Sequence, residues 1–219
     1  MRAITRLAEP DVISRLGAGW LARFLASGLD RPSSSSTTYR HDHILRDLMA
    51  SSHHKCFYCE TVLKGVRTEI DHHIEIAYNK NLTFVWGNLY LSCPECQSKV
   101  PHKTIPINTC LDPCVDDDVT IQQNLGFRFE NIYALGDSLI GQRTITKYRL
   151  DSQHYDYLRS RELQKFNNEL ISLMKLLARE VRAASPNEIE RLKSYSYVTN
   201  AFSLMFKCLI ENAHSDILA

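Results

Sequence analysis

The sequence has no run of about 18 apolar residues that would cross a bilayer as a helix, and Arg6, Glu9, Asp11 and Arg15 interrupt its first turns, so no apolar signal core stands at the start. These absences lead us to expect a chain with no membrane partner that works in the cytoplasm. A disulfide framework is lacking too. Of seven cysteines, four form two Cys-x-x-Cys pairs, and Cys110, Cys114 and Cys208 are an odd remainder, as in a reducing compartment. Nor is there a basic excess: the net charge is +1, whereas a stand-alone nucleic-acid binder usually relies on many cations to displace counterions from phosphate. If the chain acts on nucleic acid, its cations are clustered or a partner supplies part of the affinity.

What is present is enough apolar material for a core, 44% of 219 residues. It is punctuated by one unusual stretch. Cys56/Cys59 and Cys93/Cys96 flank an Asp71-His72-His73 run. Two such pairs suit tetrahedral zinc, because each bends as a tight turn that presents two sulfurs to one ion and leaves the intervening chain to fold as a separate loop. Buried inert thiols or two redox pairs are the other readings, and the strand-then-helix context of a thioredoxin-like unit is missing.

The pattern divides the chain into four parts. Residues 1–38 hold a first helix over 10–27, with Ile13, Leu16, Trp20 and Phe24 on its apolar side and Gly28 as its stop, and then a Ser/Thr-rich linker. Residues 39–110 begin with a helix near 39–53, capped by Thr38, and continue through the cysteine-rich core. There, Val62-Leu63, a turn at Lys64-Gly65 and Val66 to Ile70 read as a hairpin leading into Asp71-His72. Phe84-Val85-Trp86 reads as core and Gly87-Asn88 as a turn opening Leu89-Tyr90-Leu91. A short helix from Cys96 to Lys99 is ended or bent by Pro101. Residues 111–150 form a loop-rich connection, with the acids Asp116 to Asp118 on a solvated surface and one or two short strands among Phe127, Phe129, Ile132 and Leu139. Residues 151–219 are helical: a long helix from Tyr155 to Val181, a Ser185-Pro186-Asn187-Glu188 capping box, and a last helix from Ile189 to Leu209, paired as an antiparallel hairpin. The class is α+β.

An aspartate is a hard oxygen ligand for Mg²⁺ or Mn²⁺, and a neighbouring histidine titrating near neutrality can take a proton from water. Together they are two of the parts needed to hydrolyse a phosphodiester. Adjacent side chains of a strand face opposite ways, so both reach one site only if the chain bends after Asp71. His73 is as good a candidate as a packed histidine as for the base. Among cations, Arg143, Lys147, Arg149, Arg159, Arg161 and Lys165 form the more basic segment and a candidate phosphate contact, although a solvated helix face explains them equally.

The set Cys56-Phe-Tyr-Cys59-Glu60, Ile70-Asp71-His72, Trp86-Gly-Asn88-Leu89 and Cys93-Pro-Glu-Cys96-Gln97-Ser-Lys99 resembles an HNH endonuclease of the ββα-metal class with an embedded zinc knuckle. Leu111-Asp112-Pro113, Thr144-Ile145, Leu150, Leu158 and Arg161 resemble the downstream pattern of PtuB-like HNH subunits of Septu anti-phage systems and some retrons. The likeness spans roughly residues 39–165. It implies structural zinc on Cys56, Cys59, Cys93 and Cys96, and a catalytic Mg²⁺ or Mn²⁺ on Asp71 and Gln97. It also implies His72 as general base, Asn88 as a brace of the loop between the strands, and Lys99 against the nucleic acid; resemblance aside, Lys103 and Arg67 are further basic residues near the site that could contact it. Gln97 stands where the family usually has His or Asn, which would shift the ion, interpose water or recruit His102. The implied partners are a PtuA-like ATPase, a DNA or tRNA substrate and, in a retron, the reverse transcriptase with its nucleic acid. A zinc-knuckle adaptor whose nuclease site has decayed is the alternative.

Overall fold

The computed structural model describes residues 1–33, 35, 37–65 and 67–213, of Asn212 and Ala213 the backbone only. Val66 and part of the serine tract, both in segments read above, lie outside the described residues. The fold is α+β, with eight helices and two small antiparallel sheets among the described residues.

Helix α1 (Asp11–Ala26) starts after Pro10 and buries Ile13, Gly17, Trp20 and Phe24; Gly28, at φ +68°, takes the left-handed conformation that ends it. Leu16, expected on the apolar side, is 44% exposed. Gly17 is buried in the helix face beside the Phe84 carbonyl, where a Cβ would make ordinary contact at 3.7 Å. Helix α2 (Asp42–Ser51) is capped by His41, whose ring accepts from the His43 amide, not by Thr38. Trp20, Phe24 and Tyr39 pack around Phe84. Val85, predicted to be core with Phe84 and Trp86, is exposed.

The strand carrying Asp71 is β1 (Glu69–His72), and its partner is β2 (Leu89–Ser92), in the register Asp71↔Tyr90 and His72↔Leu89. Among the described residues the predicted local hairpin from Val62 is not seen; Val62 makes an isolated bridge with Lys55 instead. Both strands are wholly buried. Helix α3 (Pro94–Gln97) follows at once, with Cys93 as its cap and Pro94 at its first position, where a missing N–H costs nothing. It thus begins earlier than predicted and ends before Pro101.

Asp117 caps α4 (Asp118–Asn124) by accepting from the Thr120 amide, Asp118 pairs with Arg2 at 2.6 Å, and Asp116 accepts from the Asp112 amide at 2.7 Å, so all three acids read as solvated surface hold local structure. Strands β3 (Leu125–Arg128) and β4 (Asn131–Ala134) form the second hairpin. Leu139, expected near a strand, opens α5 (Leu139–Tyr148). Helix α6 (Gln153–Glu180) and α7 (Pro186–Lys193) follow, the latter with both halves of the predicted capping box. Arg191 reaches back to Glu169 at 3.1 Å. The last predicted helix is broken: a 3-10 turn at Ser194–Ser196 and a loop precede α8 (Ser203–Ala213). In that loop Asn200 donates to the Tyr197 and Ser194 carbonyls, and the break lets the segment dock on the cysteine-rich core. Ser203 and the Met1 ammonium both donate to the buried Glu60, which Lys55 also meets. Burial works to raise the Glu60 carboxyl, but these cations and the Ser203 hydroxyl outweigh it and bring it down to about 2.

A thiol cluster and a cavity at the end of the central hairpin

The sulfurs of Cys56, Cys59, Cys93 and Cys96 lie within 4.8 Å of one another and are buried. Each pair is bent by its own local chemistry. In the first, Glu60 adopts φ +64° and donates its amide to the Cys56 carbonyl. In the second, the Cys93 sulfur accepts from the Cys96 amide at 3.4 Å. The Cys59 and Cys93 sulfurs are 3.7 Å apart, the edge expected of a tetrahedron with metal–sulfur bonds of about 2.3 Å. A cluster of this composition and spacing can bind a metal such as zinc. The Tyr155 hydroxyl lies 3.1 Å from Cys93 Sγ and 3.0 Å from Cys96 Sγ, and Thr61 Oγ1 lies 3.1 Å from Cys59 Sγ. Both hydroxyls can donate to thiolates, the outer contacts that orient and stabilise metal ligands. Arg159 is buried nearby, its guanidinium over the rings of Phe127 and Tyr155; burial lowers its pKa, and the field of Cys59 is the largest opposing influence.

The cluster ties together the elements that carry Asp71 and His72. Cys93 directly follows β2, and Phe57, inside the first pair, donates its amide to the Leu91 carbonyl of β2. Asp71 and His72 both line a cavity of about 1200 Å³, together with Glu75, Tyr78, Gln97 and His102. The bend expected after Asp71 is not there: the strand runs on through His72, which pairs with Leu89, and both residues line the cavity from the strand end itself.

His72 is buried, and its Nε2 sits 2.9 Å from the Thr83 carbonyl. A carbonyl only accepts, so Nε2 carries the proton and neutral His72 keeps its lone pair on Nδ1. Burial lowers its pKa, which keeps the ring neutral at pH 7. His73 is placed quite differently. Its ring stacks on Tyr90 at 4.2 Å, and its nitrogens meet Asp112 at 3.3 Å and the Tyr58 hydroxyl at 3.4 Å. The two histidines that the sequence left equivalent are thus separated, His72 lining the cavity and His73 packed behind it.

Asp71 Oδ2 accepts from the Tyr58 hydroxyl at 2.7 Å and from Lys99 Nζ at 2.5 Å. Oδ1 has no hydrogen bond among the described residues and is the oxygen left for a ligand. Lys99 also donates to the His72 and His73 carbonyls at 2.7 and 3.0 Å, and its side chain is 2% exposed. Expected to touch phosphate, it is instead an internal clamp on the strand end. Lys99→Met is accordingly expected to cost about 3–5 kcal/mol, because it leaves a buried carboxylate without its counter-charge. Urea unfolding measures this, and a loss below about 1 kcal/mol would contradict the clamp.

Asn88 closes the loop between the strands. Its amide oxygen accepts from the Ile74 amide at 2.7 Å, and its nitrogen donates to the Ile74 and Leu82 carbonyls at 3.0 and 3.1 Å. Gln97 is exposed at the cavity, with no side-chain hydrogen bond among the described residues. An open carboxylate oxygen and an open amide oxygen are of the kind that holds Mg²⁺ or Mn²⁺ when water and substrate complete the shell, so the donors fit such an ion. His102 does not fit as a further ligand, because its Nδ1 accepts from the Ile107 amide at 3.2 Å, which leaves Nε2 as a donor.

Lys103 lies at the cavity and is exposed. Arg67 does not line it; its guanidinium pairs with Glu69, which also holds Arg40 at 2.9 Å. The later basic segment is split. Lys147 is buried and donates to the Val100 and Ile105 carbonyls at 2.8 and 3.0 Å, and Arg159 is buried beside the thiols. Those two are unavailable to a phosphate, while Arg143, Arg149, Arg161 and Lys165 remain exposed. Sequence reasoning missed Tyr58 and Thr83, which fix Asp71 and His72. Tyr58 stands inside the first Cys-x-x-Cys pair, but nothing in the sequence marks the Thr83 carbonyl.

No protein-family model matches the chain, and no curated protein matches it. The likeness to PtuB-like subunits therefore rests on the residues quoted for it. No helix among the described residues is long and apolar enough to cross a membrane.

Proposed function

We propose that the chain is a metal-dependent HNH endonuclease, with β1, β2 and α3 as its ββα-metal core and zinc on the four thiols. The observation that carries this reading is the pairing, in one cavity, of the open Asp71 Oδ1 with a His72 ring whose Nε2–H is committed to Thr83. His72 Nδ1 then accepts a proton from water as the water oxygen bonds to phosphorus and the P–O bond to the leaving oxygen breaks, that oxygen taking a proton from solvent. Asp71 and Gln97 hold the divalent ion, which when bound stabilises charge growing on the phosphoryl and leaving oxygens. Lys99 and Tyr58 keep the Asp71 carboxylate in place, and Asn88 keeps the strand-connecting loop from displacing His72. The resemblance extends the proposal to an effector subunit of a cytoplasmic Septu or retron defence complex. There the near-neutral charge is offset by a PtuA-like ATPase that brings DNA or tRNA to the site.

End-labelled DNA and RNA incubated with the chain, alone and with such an ATPase, should be cut when Mg²⁺ or Mn²⁺ is added. Absence of divalent-dependent cleavage in every combination would remove the enzyme reading. One observation favours a second reading, an adaptor with a decayed site: the Lys99 ammonium already neutralises Asp71. That reading predicts nucleic-acid or partner binding with no cleavage under any of these conditions.

A further inference from the structure

Tyr78 is 62% exposed although it lines the same cavity as Asp71 and His72. One side of its ring is backed by His102, with ring centroids 3.9 Å apart. The two planes are tilted by 34°, and His102 is itself held by the Ile107 amide on Nδ1, so Tyr78 forms an aromatic shelf whose backing ring is anchored. The hydroxyl of Tyr78 has no hydrogen bond among the described residues, so polar anchoring does not account for its position. Elsewhere on the wall of the same cavity, Lys103 and Arg31 are exposed cations, with Asp30 and Glu75 as acids of the same lining, and Nε2 of His102, next to the Tyr78 ring, is left as a donor. A planar π face in one cavity with donors suited to a phosphate is the arrangement that receives an unpaired nucleobase and its backbone, because every base offers a face to stack on. The cavity, at about 1200 Å³, also exceeds the ~300–1,000 Å³ typical of small-molecule clefts, as a segment of polymer would require. Bases inside a duplex are already stacked on both faces and cannot use the shelf without being extruded.

We infer that Tyr78, backed by His102, is a stacking subsite for an unpaired base, so that the site takes single-stranded nucleic acid or an unpaired loop in preference to continuous duplex. The inference rests on the nucleic-acid reading above, and its test does not depend on cleavage. Fluorescence anisotropy at about 0.15 M salt, without added Mg²⁺ or Mn²⁺, would compare a labelled oligothymidylate, an oligouridylate and a duplex of equal length. The wild type should bind at least one single strand several-fold more tightly than the duplex; whichever strand binds better names DNA or RNA as the source. Tyr78→Ala should weaken that binding roughly 5- to 100-fold, as loss of one stacked base implies, and leave the duplex unchanged, while Tyr78→Phe should stay within about twofold of wild type. An unaltered single-strand affinity in Tyr78→Ala, a preference for duplex, or no binding of any oligonucleotide by the chain either alone or with the ATPase partner proposed above would overturn the inference. Binding of this pattern without cleavage would sink the nuclease reading alone, whereas divalent-dependent cleavage of duplex that Tyr78→Ala leaves untouched would sink only the stacking subsite.

Discussion

Cys93→Ser is expected to strip the chain of zinc and to lower its melting temperature by about 10–20 °C. Cys93 is the last residue before α3 and the first after β2, and its sulfur lies 3.7 Å from that of Cys59. Removing it therefore disconnects the strand pair, the short helix and the first cysteine turn at one point. A serine oxygen cannot replace the thiolate at the same distance and softness. Because metal binding energy at such a site is folding energy, losing one ligand should cost on the order of 4–5 kcal/mol, and in a domain of this size each kcal/mol moves the midpoint by about 2–4 °C. Cys110→Ser is the matched control, since Cys110 stands outside the cluster. Elemental analysis and thermal melts decide the matter. One zinc per chain and a midpoint within about 2 °C of wild type in Cys93→Ser would exclude Cys93 as a ligand.

The two cysteine pairs were legible because ligand spacing is a local property, and so were the helix starts at Pro10 and Ser185, which depend on caps and proline. The partner of β1 was not. Val62-Leu63 followed by Lys64-Gly65 offers the nearer hairpin, but β1 pairs with Leu89–Ser92 instead, because the converging thiols bring the end of β2 beside the first cysteine turn. Charge misled in a different way. Lys99, Lys147 and Arg159 look like surface cations in a sequence, and they are buried where acceptors from distant segments meet them: the Asp71 carboxylate, the Val100 and Ile105 carbonyls, and the Glu130 carbonyl. Periodicity also overran its structure at the end of the chain, where the apolar spacing from Ile189 to Leu209 continues through a turn that Asn200 stabilises. The choice between His72 and His73 depends on what lies behind each ring, which no local pattern records.

His72→Ala bears most heavily on the chemistry. The ring makes one hydrogen bond, to the Thr83 carbonyl, and packs edge-on against Tyr39 with centroids 5.0 Å apart; Lys99, Tyr58 and Asn88 hold the strand end through Asp71 and the backbone without it. Truncation should therefore leave zinc content intact and cost only about 1–3 kcal/mol of stability, the usual range for a single buried substitution. Loss of a general base lowers a rate by about 10²–10⁴-fold. The measurement that bears most directly on the account is the single-turnover cleavage rate of zinc-loaded wild type beside zinc-loaded His72→Ala, at neutral pH with saturating Mn²⁺. A rate at least 100-fold lower in a variant that still melts cooperatively is the predicted result. Equal rates in the two proteins would mean that the cavity holding Asp71 and His72 does not perform the reaction.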